Sequence, residues 1–156
     1  MGTYTETPCV ICDIDGTLAD VEHRRHFVQG KKKDFMKFYE AMDQDAPMVD
    51  VIGMINLHWL SGWTVILCTG RPERYRARTT TWLKSVGYLP PVLQHTLRMR
   101  PEGREFDPDY AVKQTMLDEL IAENYVPKMA FDDRNQVVAM WRRNGIRCYQ
   151  VAEGDF

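Results

Sequence analysis

The stretch that most constrains the fold is residues 9–19, where an apolar run ends in two carboxylates and a glycine turn. Cys9 to Cys12 form a short strand-like run, and Asp13 and Asp15 follow it directly. Packing does not explain this ending, because an unpaired carboxylate costs several kcal/mol to remove from water. We therefore expect a divalent metal ion at the end of this strand, together with arginine and lysine side chains that hold a phosphoryl group.

The rest of the chain alternates apolar runs with segments of helical periodicity, which predicts an α/β domain with a parallel sheet. The predicted strands are residues 9–12, 63–68, 92–99, 128–131 and 147–152. The predicted helices are residues 34–42, 48–61, 72–86, 107–124 and 136–144. Thr69 to Pro72 are predicted to form a turn before a helix with proline in its first turn, and Asp107 is predicted to cap the helix that Pro108 begins.

Polar residues follow three of the predicted strands. They are Asp13 and Asp15, then Thr69 to Arg71, then Asp132 and Asp133. Because ligands bind beyond the carboxyl ends of strands in open parallel sheets, we expect these side chains to meet at one edge. Acidic residues from two strands and a hydroxyl group from a third, all brought to one edge of the sheet, indicate a reaction site rather than packing.

These residue types suit the transfer of a phosphoryl group. One carboxylate can attack as a covalent nucleophile, and a second can protonate the leaving oxygen and then activate water. Mg²⁺ prefers a few carboxylates together with water and phosphate oxygens. The Thr69 hydroxyl and the Lys113 ammonium would hold the remaining phosphoryl oxygens.

Four segments in this order resemble the motifs of the haloacid dehalogenase superfamily of phosphohydrolases. They are Asp13 to Thr17, Thr69 to Arg71, Lys113, and Asp132-Asp133. A closer likeness, to the 3′-phosphatase domain of phage-type polynucleotide kinase–phosphatases, extends over nearly the whole chain from Cys9. The resemblance implies a Rossmann-like three-layer α/β/α fold, that of the haloacid dehalogenases, with a central parallel sheet and a small helical cap.

The resemblance also implies roles for individual residues. Asp13 would be the nucleophile and Asp15 the general acid and base, with Thr69 and Lys113 assisting. The implied metal site, for Mg²⁺, consists of Asp13, the Asp15 carbonyl, Asp132 and Asp133. The implied substrate-binding residues are Arg24, Gly70, Arg71 and Asp109.

Some of these positions have ordinary alternatives. Asp109 could pair with Lys113 four residues later, or it could be a first-turn acid favoured by the helix dipole. Arg24 could be a surface arginine. The loop before Asp109 departs from the family pattern, because it is one residue longer and has Asp107 where an arginine is usual; Arg104 could substitute from a shifted position.

The insert at about residues 20–48 is small, and a minimal cap would leave a cleft that admits the end of a polymer. The basic side chains that could line it are Arg24, Arg25, Lys31 to Lys33, Arg71, Arg74 and Arg76. The aromatic side chains that could stack a base are Phe27, Phe35, Phe38, Tyr39 and Tyr75. The alternatives are a solvated surface for the lysines and a cap core for the aromatic residues.

Composition limits the class of protein. The 156 residues have a formal net charge of −2, so nucleic-acid binding would depend on local basic clusters. No apolar run is long enough to cross a bilayer, no signal peptide is recognisable, and no phosphate-binding kinase loop occurs. We expect one phosphatase domain over residues 1–156 without a kinase domain or a membrane partner. The four cysteines are expected to be reduced core residues, as in the cytoplasm of a bacterium or a phage-infected cell.

The expected function is therefore Mg²⁺-dependent removal of a 3′-phosphate, or of a 2′,3′-cyclic phosphate, from the ends of DNA or RNA through an aspartyl-phosphate. A separate kinase or ligase is the expected partner, and the oligomeric state stays open. A phosphatase for free nucleotides or other small phosphoesters is the first alternative. A non-catalytic module that binds nucleic-acid ends is the second.

Overall fold

A parallel sheet of five strands forms the centre of the computed structural model, which describes residues 5–156. The strands of the chain are β1 (Thr7–Cys12), β2 (Ala19–Asp20), β3 (Ala46–Pro47), β4 (Thr64–Pro72), β5 (Leu97–Arg100), β6 (Tyr125–Asp132) and β7 (Arg147–Gln150). The α-helices are α1 (Glu22–Arg25), α2 (Phe35–Glu40), α3 (Val49–Leu60), α4 (Arg76–Ser85), α5 (Asp109–Ala122) and α6 (Asn135–Arg143). The order of the sheet is β5-β4-β1-β6-β7, which places β1 in the middle.

Two apolar cores lie on opposite faces of this sheet, and β1 contributes to both. Val10 and Cys12 pack with residues of α3 and α4, whereas Cys9 and Ile11 pack with residues of α5 and α6. Side chains alternate between the faces of a strand, so the two cysteines of Cys9-x-x-Cys12 point apart. The predicted three-layer arrangement and the prediction that the cysteines are buried core residues are both confirmed.

The predicted insert leaves and rejoins the sheet domain through a short antiparallel pair, β2 with β3. Between these strands lie α1, α2 and two short 3₁₀ turns. Asp34 caps α2 by accepting a hydrogen bond from the Lys37 backbone N–H at 3.0 Å. The insert therefore stands directly beside the residues that follow β1.

The segment predicted as a turn at Thr69 to Pro72 is instead the end of β4. This strand continues to Pro72, which pairs with Arg100 of β5 after a register irregularity that begins at Cys68. Glycine and proline favour a turn locally, but pairing with β5 keeps the chain extended. The helix with proline in its first turn was also a wrong prediction, because a 3₁₀ turn at Glu73–Tyr75 precedes α4.

Two further boundaries differ from prediction. The third strand covers only Leu97–Arg100, because the Thr96 hydroxyl accepts from Leu93 N–H and donates to the Pro91 carbonyl, each at 2.8 Å, which closes a loop before it. Helix α5 begins at Asp109 with Pro108 at the N-cap, so Asp107 does not cap it. Among residues 5–156, no helix has both the length and the apolar character needed to cross a membrane.

Candidate active site

A buried group of four charged side chains, here called the aspartate–lysine cluster, lies at the carboxyl ends of β1 and β6. It consists of Asp13, Lys113, Asp132 and Asp133. The Lys113 ammonium lies 2.8 Å from Asp13 Oδ1 and 2.9 Å from Asp132 Oδ2. One oxygen from each of the three aspartates lies within 4.8 Å of the others. The acidic residues that follow β1 and β6 therefore lie close together, as the sequence predicted.

Neighbouring groups fix the acidic residues in place. Asp132 Oδ1 accepts from the backbone N–H groups of the two following residues, at 3.0 and 3.3 Å, and its Oδ2 accepts from Trp141 Nε1 at 3.2 Å. Gly16 has a φ of +82°, and a Cβ there would lie 2.2 Å from Asp133 Oδ2. Glycine is needed at this turn both for its backbone conformation and for the close approach of Asp133.

The electrostatics of the cluster favour an added cation. Burial and the Asp132 charge raise the pKa of Asp133 to about 6, although Lys113 opposes the change. Burial also raises the pKa of Asp13 well above its usual range against the effect of Lys113, and Asp132 and Asp133 add to the rise. Three carboxylates share one ammonium, so full ionisation leaves excess negative charge. The all-oxygen donor set fits a hard divalent cation, whose charge would oppose both rises in pKa.

A second group, here called the arginine–aspartate cluster, lies next to the first and consists of Asp15, Arg24, Asp45 and Arg71. The last three are buried, and Asp15 is partly exposed to the cavity. Asp15 Oδ1 accepts from Arg24 Nη2 at 2.7 Å and from Arg71 Nη2 at 2.6 Å. Asp45 Oδ2 accepts from the same two nitrogens at 2.6 and 3.1 Å. Two guanidinium groups thus lie between two carboxylates.

This balanced arrangement determines the charge on Asp15. Burial alone would raise the pKa of Asp15, but the charges of Arg71 and Arg24 and their hydrogen bonds outweigh it and lower the pKa to about 2. Asp15 is therefore ionised at neutral pH. Its carboxylate is engaged by arginines and does not join the three carboxylates that could hold a metal, so its predicted place in a metal site would involve its backbone carbonyl.

Arg24 and Arg71 do not lie on a surface that a substrate could reach in this structure. Both are completely buried, and the alternative of a surface Arg24 is wrong. Arg24 also donates to the Phe38 carbonyl at 3.2 Å, and Arg71 donates to Thr79 at 3.4 Å. The carboxylates that pair with these arginines are Asp15 and Asp45, and direct contact with a substrate stays a prediction.

Asp109, Gly70 and Thr69 complete the predicted set. Asp109 Oδ2 lies 3.6 Å from Lys113 Nζ while Asp109 occupies the first turn of α5, so both readings of this residue hold together. A Cβ on Gly70 would lie 2.4 Å from Asp109 Oδ1, which explains the glycine. Thr69 is buried and its Oγ1 accepts from the Arg71 backbone N–H at 3.2 Å, which leaves its own proton free to donate.

Sequence reasoning missed two residues of the site, Asp45 and Arg100. Arg100 donates to the Gly70 carbonyl at 3.0 Å and to Asp109 Oδ1 at 3.3 Å. Arg104, which the sequence suggested could substitute for the usual loop arginine, pairs with Asp107 at 2.6 Å, and its substitution stays a prediction. Asp45 lies in the insert without any motif around it, whereas Arg100 could have been found as the residue that ends a strand.

A cavity of about 210 Å³ opens above Asp13 and Asp15. Its wall on the insert side includes Arg25, Lys33, Phe35, Phe38 and Tyr39, and its opposite wall includes Gly70, Arg100, Asp109, Asp133, Arg134 and Phe156. Arg74, Arg76, Phe27 and Tyr75, which the sequence also suggested, do not line it. The cavity therefore joins acidic groups at its floor with basic and aromatic groups nearer its mouth.

Comparison with known proteins agrees with this geometry. The family described as "Polynucleotide kinase PNKP phosphatase domain" matches residues 7–156. A chain in the structure of the Pnkp1/Rnl/Hen1 RNA repair complex is 32% identical, with a TM-score of 0.80, over 97% of this chain and 44% of that chain. A protein of Autographa californica nuclear polyhedrosis virus described as a bifunctional polynucleotide kinase/RNA ligase is 28% identical over 137 residues, which are 85% of this chain and 17% of that protein.

A more distant structure shows the fold alone. The class C acid phosphatase of Bacillus anthracis has 15% identity and a TM-score of 0.64, over 86% of this chain and 55% of that one. The expected haloacid dehalogenase fold is confirmed by these matches. The chain spans less than half the length of its relative in the RNA repair complex and a smaller share of the viral protein.

Proposed function

The chain belongs to the family of polynucleotide kinase PNKP phosphatase domains, and on that premise we propose that it is a Mg²⁺-dependent phosphatase for the 3′-phosphate of nucleic-acid ends. The observation that carries the proposal is the aspartate–lysine cluster at the ends of β1 and β6, where Asp13 and Asp132 contact one buried ammonium and Asp133 lies beside these two carboxylates. A phosphate dianion and a divalent cation are the charges that such a site can accommodate together. The insert at residues 20–48 would act as a small cap over this site.

Asp13 is the proposed nucleophile. Its Oδ1 is held by Lys113 at 2.8 Å and its Oδ2 by the Thr17 hydroxyl at 3.3 Å, so the carboxylate is oriented before substrate arrives. A carboxylate oxygen of Asp13 would attack phosphorus, and the bond from phosphorus to the 3′ oxygen would break. Water would then attack the phosphorus of the aspartyl-phosphate, which releases phosphate and restores Asp13.

Asp15 is the proposed proton carrier in both steps. Its low pKa suits the second step, in which a carboxylate takes a proton from the attacking water. In the first step Asp15 must give a proton to the leaving 3′ oxygen. A phosphate dianion beside Asp15 would favour the protonated form and raise its pKa, so we infer that Asp15 gains its proton when substrate enters.

Lys113 and Thr69 would hold oxygens of the phosphoryl group. The Lys113 ammonium is buried, and the Thr69 hydroxyl has no acceptor among residues 5–156. Asp13, the Asp15 carbonyl and Asp132 would hold Mg²⁺, with Asp133 in support. When bound, the ion supplies positive charge to the phosphoryl oxygens as negative charge develops on them. Asp109 would keep Lys113 in place, and Arg100 would do the same for the Gly70 backbone at the end of β4.

The descriptions of the relatives favour RNA ends and a separate partner. One relative belongs to an RNA repair complex, and the other is described as a kinase joined to an RNA ligase. We infer that this domain prepares 3′ ends for joining by a separate ligase, in company with a kinase.

Phosphate release tests the proposal most simply. The substrates are 3′-phosphorylated RNA and DNA of one sequence, the same strands phosphorylated at the 5′ end, and nucleoside 3′- and 5′-monophosphates, each with Mg²⁺ or a chelator. We expect Mg²⁺-dependent release from the 3′-phosphorylated strands, at least about 10³-fold slower with Asp13→Asn. Asp118→Asn, on the exposed face of α5, is the matched control.

Two outcomes would contradict the proposal. Equal release by the wild type and Asp13→Asn would exclude Asp13 as the nucleophile. Strong preference for the monophosphates would show a phosphatase for small molecules rather than for polynucleotide ends.

A further inference from the structure

A pair of arginines outside the two charged clusters lines the same cavity. The Arg25 guanidinium carbon lies 4.7 Å from the centroid of the Phe156 ring, and that of Arg134 lies 5.4 Å from it. Arg134 Nε also donates to the Phe156 carbonyl oxygen at 2.7 Å. Arg25 comes from the insert and Arg134 from the residue before α6, so the ring joins basic groups from both walls of the cavity.

These arginines differ from the others at the site in their unused hydrogen-bond donors. In Arg24, Arg71 and Arg100, all three guanidinium nitrogens donate hydrogen bonds to acceptors in the protein. Within residues 5–156, the terminal nitrogens of Arg25 and Arg134 have no such acceptor. Arg25 Nε lies 3.1 Å from Glu22 Oε2, an ion pair in which the glutamate side chain is mostly exposed. A guanidinium has five N–H donors, so both side chains retain the capacity to bind an anion.

The cavity therefore offers two separate places for anions. The floor, with Lys113 and Asp13, would take the phosphate that is removed, whereas Arg25 and Arg134 lie with Phe156 as a distinct group. A nucleoside monophosphate has a single phosphate and leaves the second place unused. A polynucleotide brings another anion, the phosphodiester that links its terminal nucleotide to the preceding one.

We propose that Arg25 and Arg134, held by Phe156, bind the internucleotide phosphodiester next to the terminal nucleotide. Phe35, which lines the cavity and is 50% exposed, provides a face on which the terminal base stacks. This inference rests on the proposed function and specifies the feature by which that site distinguishes a polymer from a monomer.

Three substrates test the inference with the whole chain. They are 4-nitrophenyl phosphate, a 3′-phosphorylated dinucleotide, and the same dinucleotide with an uncharged methylphosphonate linkage. We expect the wild type to prefer the natural linkage over the methylphosphonate by roughly tenfold in kcat/KM, the effect of losing one charge-assisted contact. Arg25→Gln and Arg134→Gln should each reduce this preference severalfold, and Arg143→Gln, an exposed arginine of α6, should retain it.

The outcomes distinguish a failure of the phosphodiester subsite from a failure of the proposed function. Equal kcat/KM for the two dinucleotides with the wild type would overturn the phosphodiester subsite without any variant. Full preference retained by both Arg25→Gln and Arg134→Gln would overturn the assignment of these arginines. Hydrolysis of 4-nitrophenyl phosphate without hydrolysis of either dinucleotide would instead overturn the proposed function, and the subsite with it.

Discussion

Two buried clusters of charge lie side by side at one edge of the sheet, and they differ in how completely the protein neutralises them. In the arginine–aspartate cluster, two guanidinium groups pair with two carboxylates at 2.6 to 3.1 Å. In the aspartate–lysine cluster, one ammonium contacts two carboxylates at 2.8 and 2.9 Å, and a third carboxylate, Asp133, lies beside them without an ion pair to it. The first is complete within the chain and holds Asp15 in one place and one charge state. The second has more carboxylates than cations within the chain, and we propose that a cation and a substrate from solution complete it as the reaction centre.

Removing the single cation of the unbalanced cluster should have the largest effect. Lys113→Met leaves Asp13 and Asp132 buried without a counter-charge, so we expect the free energy of unfolding to fall by about 3–5 kcal/mol and phosphatase activity to be lost. Urea unfolding without metal measures the change, and Mg²⁺ should recover part of it. Lys84→Met, exposed on α4, is the control and should be near neutral. Equal stability of Lys113→Met and Lys84→Met would mean that the cluster is not a strained site.

Unbalancing the complete cluster should come next. Asp45→Asn leaves Arg24 and Arg71 with Asp15 as their one carboxylate partner, which we expect to cost about 3 kcal/mol of unfolding free energy. A misplaced Asp15 should also lower kcat more than it raises KM. The control is Asp43→Asn, whose exposed pair with Arg78 should contribute at most about 1 kcal/mol. If kcat is unchanged in folded Asp45→Asn, this cluster does not position Asp15.

The clusters should also respond to pH with opposite signs in the absence of metal. The folded pKa of Asp15 is lowered to about 2 from an ordinary 3.8, so its stabilisation is complete above 3.8 and is lost as the pH falls through 2. The pKa of Asp133 in the folded state is raised from 3.8 to about 6. Between pH 3.8 and 6 the folded state therefore binds more protons than the unfolded state, and stability falls as the pH rises towards 6. Each change should be about 2–3 kcal/mol.

Urea unfolding across this pH range separates these contributions. Asp15→Asn should remove the loss of stability at acid pH and keep the fall towards pH 6, whereas Asp133→Asn should keep the acid loss and reduce the fall. Part of that fall should remain, because the pKa of Asp13 is also raised by burial. Loss of the same limb in both variants would show that the two clusters titrate as one.

The smallest predicted effect concerns the support that the insert gives to the balanced cluster. Asp34→Ala removes the cap of α2, the helix that carries Phe38, whose ring lies 4.1 Å from the Arg24 guanidinium. We expect a loss of about 1 kcal/mol in unfolding free energy and a reduction of kcat of only a few fold. Circular dichroism melting and steady-state kinetics would measure both, and a loss as large as that of Asp45→Asn would mean that α2 itself holds the cluster together.

The sequence allowed reactive residues to be located where they lie at the end of a strand. Asp13 and Asp132 could be located because apolar runs end at them, and a parallel sheet brings such ends together. Lys113 followed from the family motif, and its spacing of four residues from Asp109 on a helix suggested that the two could pair. The meeting of these residues at one edge is what the structure shows.

Contacts made across long sequence separations could not be predicted in the same way. Asp45 meets Arg24 and Arg71 only after the insert folds back, and neither propensity nor periodicity indicates that contact. Arg100 was missed because the strand was predicted to end at residue 99, whereas pairing with Pro72 of β4 extends β5 to Arg100. The turn expected at Gly70 was likewise overridden by pairing with β5.

Mg²⁺ binding followed by calorimetry tests the central claim most directly, because it compares the clusters without depending on the substrate. The wild type and Asp45→Asn should each bind one ion per chain with similar affinity, whereas Asp132→Asn should bind at least about tenfold more weakly, since it loses a charged oxygen ligand. No binding to the wild type, or equal binding to Asp132→Asn, would contradict the claim that the unbalanced cluster is the metal centre.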